Sequence, residues 1–380
     1  MDNPLVGPGL EALRERRSVK WRLYGPQVLP LWVAEMDVVP AEPVQRAVVE
    51  AMRSGDTGYP WADDYAQALS SFATQRWGWT PDPASMHLVP DVMLGVVEVL
   101  KLLTDPGDAV VVNSPVYPPF FQFVGSLGRR VVEAPLSPAG RLDPDAVDRA
   151  CAEAGRGGGR AAYLVCNPQN PTGAVHTAAE LTAVLEVANA HGVRVVADEI
   201  HAPLAHPGVT FTPVVSLPAG AQAVSVMSAS KAFNLAGLKA AMAVAGVDAR
   251  ADLARIPEEV SHGASHVGVI AHRAAYLEGG PWLDALLRGL EDNRRLLVTL
   301  LAEHLPEVGF REPEGTFLAW LDFTAYDLGP DPAAVLRERA QVALHPGPGF
   351  GTGGQGRARL NFGTSPEILH EAVRRIAAAV

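Results

Sequence analysis

The stretch SVMSASKAFNLAGLK, residues 225–239, sets the terms for everything around it. An apolar run halts at three small residues, Ser228, Ala229 and Ser230, then presents a single lysine, Lys231, ahead of a loop that carries Gly237. Standing alone, Lys231 would read as a solvated surface charge. What changes its meaning is the set of polar side chains that other segments deliver to the same place.

Working outward, helical and strand-like patterns alternate from about residue 88. DVMLGVVEVLKLL (91–103) has helical spacing, DPGD turns, and AVVVN (109–113) is a short β-branched run. RRVVEAPL, AAYLVCN, VRVVADEI and QAVSVMS follow as strands, with helical patterns such as TAAELTAVLEVANAHG (177–192) between several of them. This alternation predicts an α/β fold whose sheet is mostly parallel and covered by helices on both faces. Pro281 opens a long helical pattern; TFLAWLDF, QVALHP and RARLNF then read as strands, and PEILHEAVRRIAAAV as a closing helix. The expected organisation is a large domain over 48–280 and a smaller α+β domain over 281–380. The N-terminal segment, 1–47, is expected to pack with the latter.

At 380 residues and 48% hydrophobic content the chain can bury more than one core. Its net charge of −11 argues against nucleic acid or an anionic membrane as partner, because either needs clustered Lys and Arg. Cys151 and Cys166 are the only cysteines, too few for a disulfide framework. No run of eighteen apolar residues occurs, and the N-terminus has no apolar core of signal-peptide length, so a cytoplasmic protein is expected.

In open α/β sheets ligands bind outside the carboxyl ends of the strands. AVVVN leads to SPVYPPF with Tyr117; AAYLVC leads to NPQNPTG with Asn170; VRVVADEIH brings Asp198 and His201; QAVSVMSAS brings Lys231. Each has an ordinary explanation by itself, as loop aromatic, turn former, cap or surface charge. Four strands delivering such groups to one edge point to a site. A lysine amine forms a Schiff base with an aldehyde, and pyridoxal 5′-phosphate (PLP) uses that chemistry. A carboxylate such as Asp198 beside the pyridine nitrogen keeps it protonated, a flat ring such as Tyr117 can stack on it, and Asn170 can donate to the phenolic oxygen. The phosphate would find free backbone N–H groups at Val92 and Met93, where a helix begins, with Ser228, Ser230 and Lys239 closing the cup.

The order TGYP, SPVYPPF, NPQNPTG, DEIH, SASKAFNLAGLK and RARLNF resembles the fold-type I PLP-dependent enzymes. DEIH, SVKW and LPLWVAEMD resemble most the PatB/MalY branch of cystathionine β-lyases and related carbon–sulfur lyases within the class I/II aminotransferase superfamily. The resemblance implies that Lys231 holds the cofactor covalently, Asp198 contacts the pyridine nitrogen, Tyr117 stacks, and Asn170 binds the phenolic oxygen. It further implies that His201 lies near the cofactor and that Arg359 takes the α-carboxylate of an amino-acid substrate through its planar fork. Tyr59, in GDTGYP, resembles the tyrosine that reaches the phosphate of a neighbouring subunit, which implies a homodimer with composite sites. The implied reaction is β-elimination of a thiol from cystathionine or a cysteine S-conjugate, giving pyruvate and ammonia. The alternative is transamination between an amino acid and a 2-keto acid, which uses the same residues. Two positions depart from the pattern: Asp91 stands where glycine is common, and Lys239 where many aminotransferases have arginine.

Two other motifs fail on their context. GPGFGTGG contains G-x-G-x-x-G at Gly349, Gly351 and Gly354, but leads into a strand, whereas a dinucleotide fingerprint passes from strand to helix. His262 and His266 have i, i+4 spacing without the glutamate a zinc motif needs, so no metal is expected.

Overall fold

A computed structural model describes residues 2–380. Seven strands form the larger sheet: β1 (Met86–Val89), β2 (Ala109–Val112), β3 (Arg130–Glu133), β4 (Ala161–Cys166), β5 (Arg194–Asp198), β6 (Val224–Met227) and β7 (Ala241–Ala245). Their order is β1-β7-β6-β5-β4-β2-β3; β7 alone runs against its neighbours. The expected α/β class with a mostly parallel sheet is what the chain forms.

The sheet is covered on both faces because central strands such as AVVV and AAYLVC are apolar and buried throughout, so the two-residue period divides them between two cores. Val110, Val112, Leu164 and Val226 pack with Val96 and Leu100 on one side. Val111, Tyr163, Val165 and Val195 pack with Leu181 and Val184 on the other. The first face carries helix α1 (Val92–Leu103) and the second α2 (Ala178–Ala190), the latter opened by a capping box between Thr177 and Glu180. Gly95 lets α1 lie hard against the sheet: a Cβ there would come within 2.7 Å of Val89 Cγ2 and 2.9 Å of Val226 Cγ1.

After the long helix α3 (Gly280–His304), a four-stranded antiparallel sheet forms from β8 (Gly309–Phe310), β9 (Leu318–Asp322), β10 (His345–Pro346) and β11 (Arg357–Asn361), in the order β10-β11-β9-β8. QVALHP does not make the single strand its sequence suggests. Val342–Ala343 pairs in parallel with Leu29–Pro30, and His345–Pro346 pairs with β11. Leu344 carries the chain from one partner to the other, and Pro346, lacking an N–H, limits the second ladder. The pairing with Leu29–Pro30 ties the N-terminal segment to the C-terminal part of the chain and hangs the following loop, residues 31–37, over the carboxyl edge of the large sheet.

Candidate active site

The six strands that run the same way end at one edge, and that edge borders a cavity of about 370 Å³ lined by Ala34, Tyr117, Asn170, Asp198, His201 and Lys231 among others. Asp91, Val92, Met93, Ser230 and Lys239 line it as well. β4 and β5 are neighbours with Cys166 opposite Asp198, so the Asn170 turn and Asp198 emerge side by side. β6, next along, releases Lys231 after the small residues Ser228–Ser230, which lets the chain turn beneath the cavity.

Burial raises the Asp198 carboxyl from its ordinary 3.8 to about 6; the Ile200 N–H and the Lys231 amine act against that rise, and Asp91 adds to it. Burial, with the Arg359 charge second, presses the Lys231 amine down to about 8. A lysine in that range has a useful fraction of neutral amine near physiological pH, the form that attacks an aldehyde. Burial also raises the Tyr117 phenol and drives His201 well below its ordinary value, so the imidazole is neutral. His201 Nδ1 is buried with no hydrogen-bond partner.

A loop that sequence reasoning used only as a family marker proves to be the roof of the site. Lys231 Nζ donates to Ala34 O at 2.9 Å, and Arg359 Nη2 donates to Trp32 O at 2.9 Å. Asn361 Nδ2 donates to the carbonyls of Val33 and Glu35, both at 2.7 Å, while Asn234 bonds the N–H and the C=O of Met36 at 2.8 and 3.0 Å. Behind the loop lies a buried ion pair, Lys20 Nζ to Asp37 Oδ2 at 2.8 Å, with Trp21 Nε1 donating to the other oxygen at 2.9 Å. The Glu35 side chain turns away and accepts from Ser18 Oγ at 2.6 Å. These contacts escaped the sequence because most are made by backbone carbonyls, which any residue supplies; only the phrase WVAEMD hinted at them.

Arg359 is 1% exposed and has no carboxylate partner among the described residues. Its Nη1 donates to Asn170 Oδ1 at 2.8 Å; its Nη2 reaches Trp32 O and approaches His345 Nδ1 at 3.3 Å; Nε has no partner. Its guanidinium carbon lies 5.3 Å from the Phe350 ring centroid. Every acceptor around it is neutral, since burial and the arginine itself hold His345 down to about 3. A buried cation surrounded by dipoles alone is costly and is best completed by an anion.

Two further residues sit apart from the cavity. Ser228 Oγ is buried and donates to Ala240 O at 2.7 Å, and it is Ser230 that lines the cavity. Tyr59 is 82% exposed, with its ring 5.4 Å from that of His262, and does not line the cavity.

The donor set fits PLP. An amine with a lowered pKa, a buried carboxyl, an aromatic wall and the N–H groups opening α1 converge on one cavity; Arg359 does not line it and is joined to it through its hydrogen bond to Asn170. Such an edge-of-sheet site in this α/β fold defines a PLP-type transferase or lyase scaffold. Residues 41–376 match the family Aminotransferase class I and II, to which this chain belongs. A relative from Mycobacterium tuberculosis is 54% identical over 98% of this chain and 97% of its own. The cystathionine beta-lyase of Corynebacterium glutamicum is 35% identical over 98% and 99%. Among solved structures, the PLP-bound C-S lyase from Staphylococcus hominis superposes with a TM-score of 0.86 at 26% identity, covering 96% of each chain.

Proposed function

We propose that this chain is a PLP-dependent carbon–sulfur β-lyase that converts cystathionine or a related cysteine S-conjugate, with water, into a thiol, pyruvate and ammonia. The observation that carries it is the convergence of Lys231, Asp198 and an uncompensated Arg359. The cystathionine beta-lyase relatives support elimination over transamination. Arg359 takes the α-carboxylate and thereby fixes the Cα substituents relative to Lys231. When bound, the cofactor withdraws electrons from Cα, and Asp198 sustains this by holding a proton at the pyridine nitrogen. The Lys231 amine, once free, removes the Cα proton; the Cβ–S bond then breaks with its electron pair leaving on sulfur, and the released aminoacrylate hydrolyses to pyruvate and ammonia. Neutral His201 and Asn170 keep the polar wall of the cavity without adding charge.

We also propose a homodimer in the cytoplasm, with residues 48–280 as the cofactor-binding domain and 1–47 packed beside 281–380. Met52, Tyr59 and Trp61, all more than half exposed on the helix Glu42–Ser54 and the loop after it, support a partner surface there. The free cysteines Cys151 and Cys166 are consistent with a reducing compartment.

The deciding assay supplies cystathionine and S-substituted cysteines without any keto acid. Thiol and pyruvate in equal amounts are expected. Turnover only when a keto acid is added would instead establish an aminotransferase. In the same assay Lys231→Ala should be inactive and lack the borohydride-trapped cofactor adduct; an adduct mapping to another peptide would refute the assignment.

A further inference from the structure

Strand register brings a carboxylate to the place where a phosphate is expected. Val89 at the end of β1 pairs with Ala241 at the start of the antiparallel β7. Two residues beyond each, Asp91 and Lys239 leave neighbouring strands at the same edge, and their side chains meet at 2.8 Å. Asp91 also caps α1, accepting from Leu94 N through Oδ1 at 2.8 Å, so both of its oxygens are engaged. The next two N–H groups, those of Val92 and Met93, have no intrahelical acceptor, as expected of a helix start. An anion bound there lies beside a carboxylate.

We propose that Asp91 weakens this protein's hold on the phosphate group of its cofactor, and that Lys239 acts first as counter-ion to Asp91 and only through that as an attraction for phosphate. The inference rests on the PLP assignment made above. Two observations besides the register support it. Asp91 and Lys239 both line the cavity that holds Lys231 and Asp198. The Asp91 charge is also felt within it, raising both the Asp198 carboxyl and the Tyr117 phenol. A carboxylate used only to cap α1 would be interchangeable with asparagine, which caps as well and carries no charge. A charge beside a phosphate is not interchangeable in that way, and Lys239 is the group that offsets it.

The test separates the two roles with two aldehydes, pyridoxal 5′-phosphate and pyridoxal, titrated into cofactor-depleted full-length protein and followed by visible absorbance. Asp91→Asn should bind the phosphorylated aldehyde about fivefold more tightly at low salt, an advantage that shrinks as ionic strength rises, with pyridoxal binding unchanged. Lys239→Met should weaken the phosphorylated aldehyde much more in the native background than in Asp91→Asn. Equal affinities for native and Asp91→Asn protein, or an equal shift for both aldehydes, would overturn the proposal and leave Asp91 a helix cap. A native protein that binds neither aldehyde would instead overturn the cofactor assignment beneath it.

Discussion

Asp198 shows how a single residue can be arranged for a ligand at the expense of the fold. Its carboxyl rises from 3.8 to about 6 on burial, so the folded chain binds that proton more tightly than the unfolded chain does. The resulting penalty is absent below about pH 4, grows from there to about pH 6, and is full above it, on the order of 3 kcal/mol. Asp198→Asn removes it. The cofactor-free variant should melt at a higher temperature than the native protein at pH 8, by an amount that disappears near pH 4 in a melting series. Its turnover should fall on the order of 10²-fold, because the proton at the pyridine nitrogen loses its counter-charge. Unchanged turnover would rule out that role. Arg359 makes the complementary case: Arg359→Lys keeps the charge and loses the fork. The KM for the amino acid should rise about tenfold or more while the cofactor absorbance band persists, and an unaltered KM would move carboxylate recognition elsewhere.

At the scale of elements, the roof loop 31–37 is held from three directions. Asn361 on β11, Asn234 after β6 and the Lys20–Asp37 pair each fix part of it. Removing one member of a buried ion pair strands the other charge, a loss of roughly 3–5 kcal/mol, whereas replacing both with apolar residues costs far less. Lys20→Met should therefore lower the melting temperature sharply, and Lys20→Met with Asp37→Leu should recover most of it. The double variant should still bind its amino acid more weakly, since Trp32 O and Ala34 O would no longer be held against Arg359 and Lys231. Full recovery of both melting temperature and KM would mean that the pair serves stability alone. This is also where the sequence falls silent. Lys231, Asp198 and Asn170 are legible because each is a chemically distinctive residue at a strand end. Trp32 and Ala34 act through carbonyls, and a lysine near the N-terminus looks solvated until a tertiary partner buries it. Nor can the spacing of SASK say which serine faces inward, because the Ser228 hydroxyl is taken by Ala240 O.

For the whole molecule, the alternation of helix and strand made the sheet and its carboxyl edge legible, since both follow from local periodicity. The assembly does not follow from periodicity, and Tyr59 is its clearest probe. If its phenol completes a partner's site, mixing Tyr59→Phe subunits with Lys231→Ala subunits yields heterodimers with one doubly altered site and one intact site. Activity should then exceed that of either variant alone. Absence of recovery after verified subunit exchange would assign each subunit its own complete site.

The pairing of Leu29–Pro30 with Val342–Ala343 joins an early segment of the chain to a late one. On the ribosome, the large sheet and Lys231 emerge well before β11 carries out Arg359 and gives the roof loop its anchor in Asn361. Lys231 therefore leaves the ribosome before the arginine that lowers its pKa and before the asparagine that pins the residues on either side of the carbonyl it donates to, so its final surroundings assemble only with the last strands.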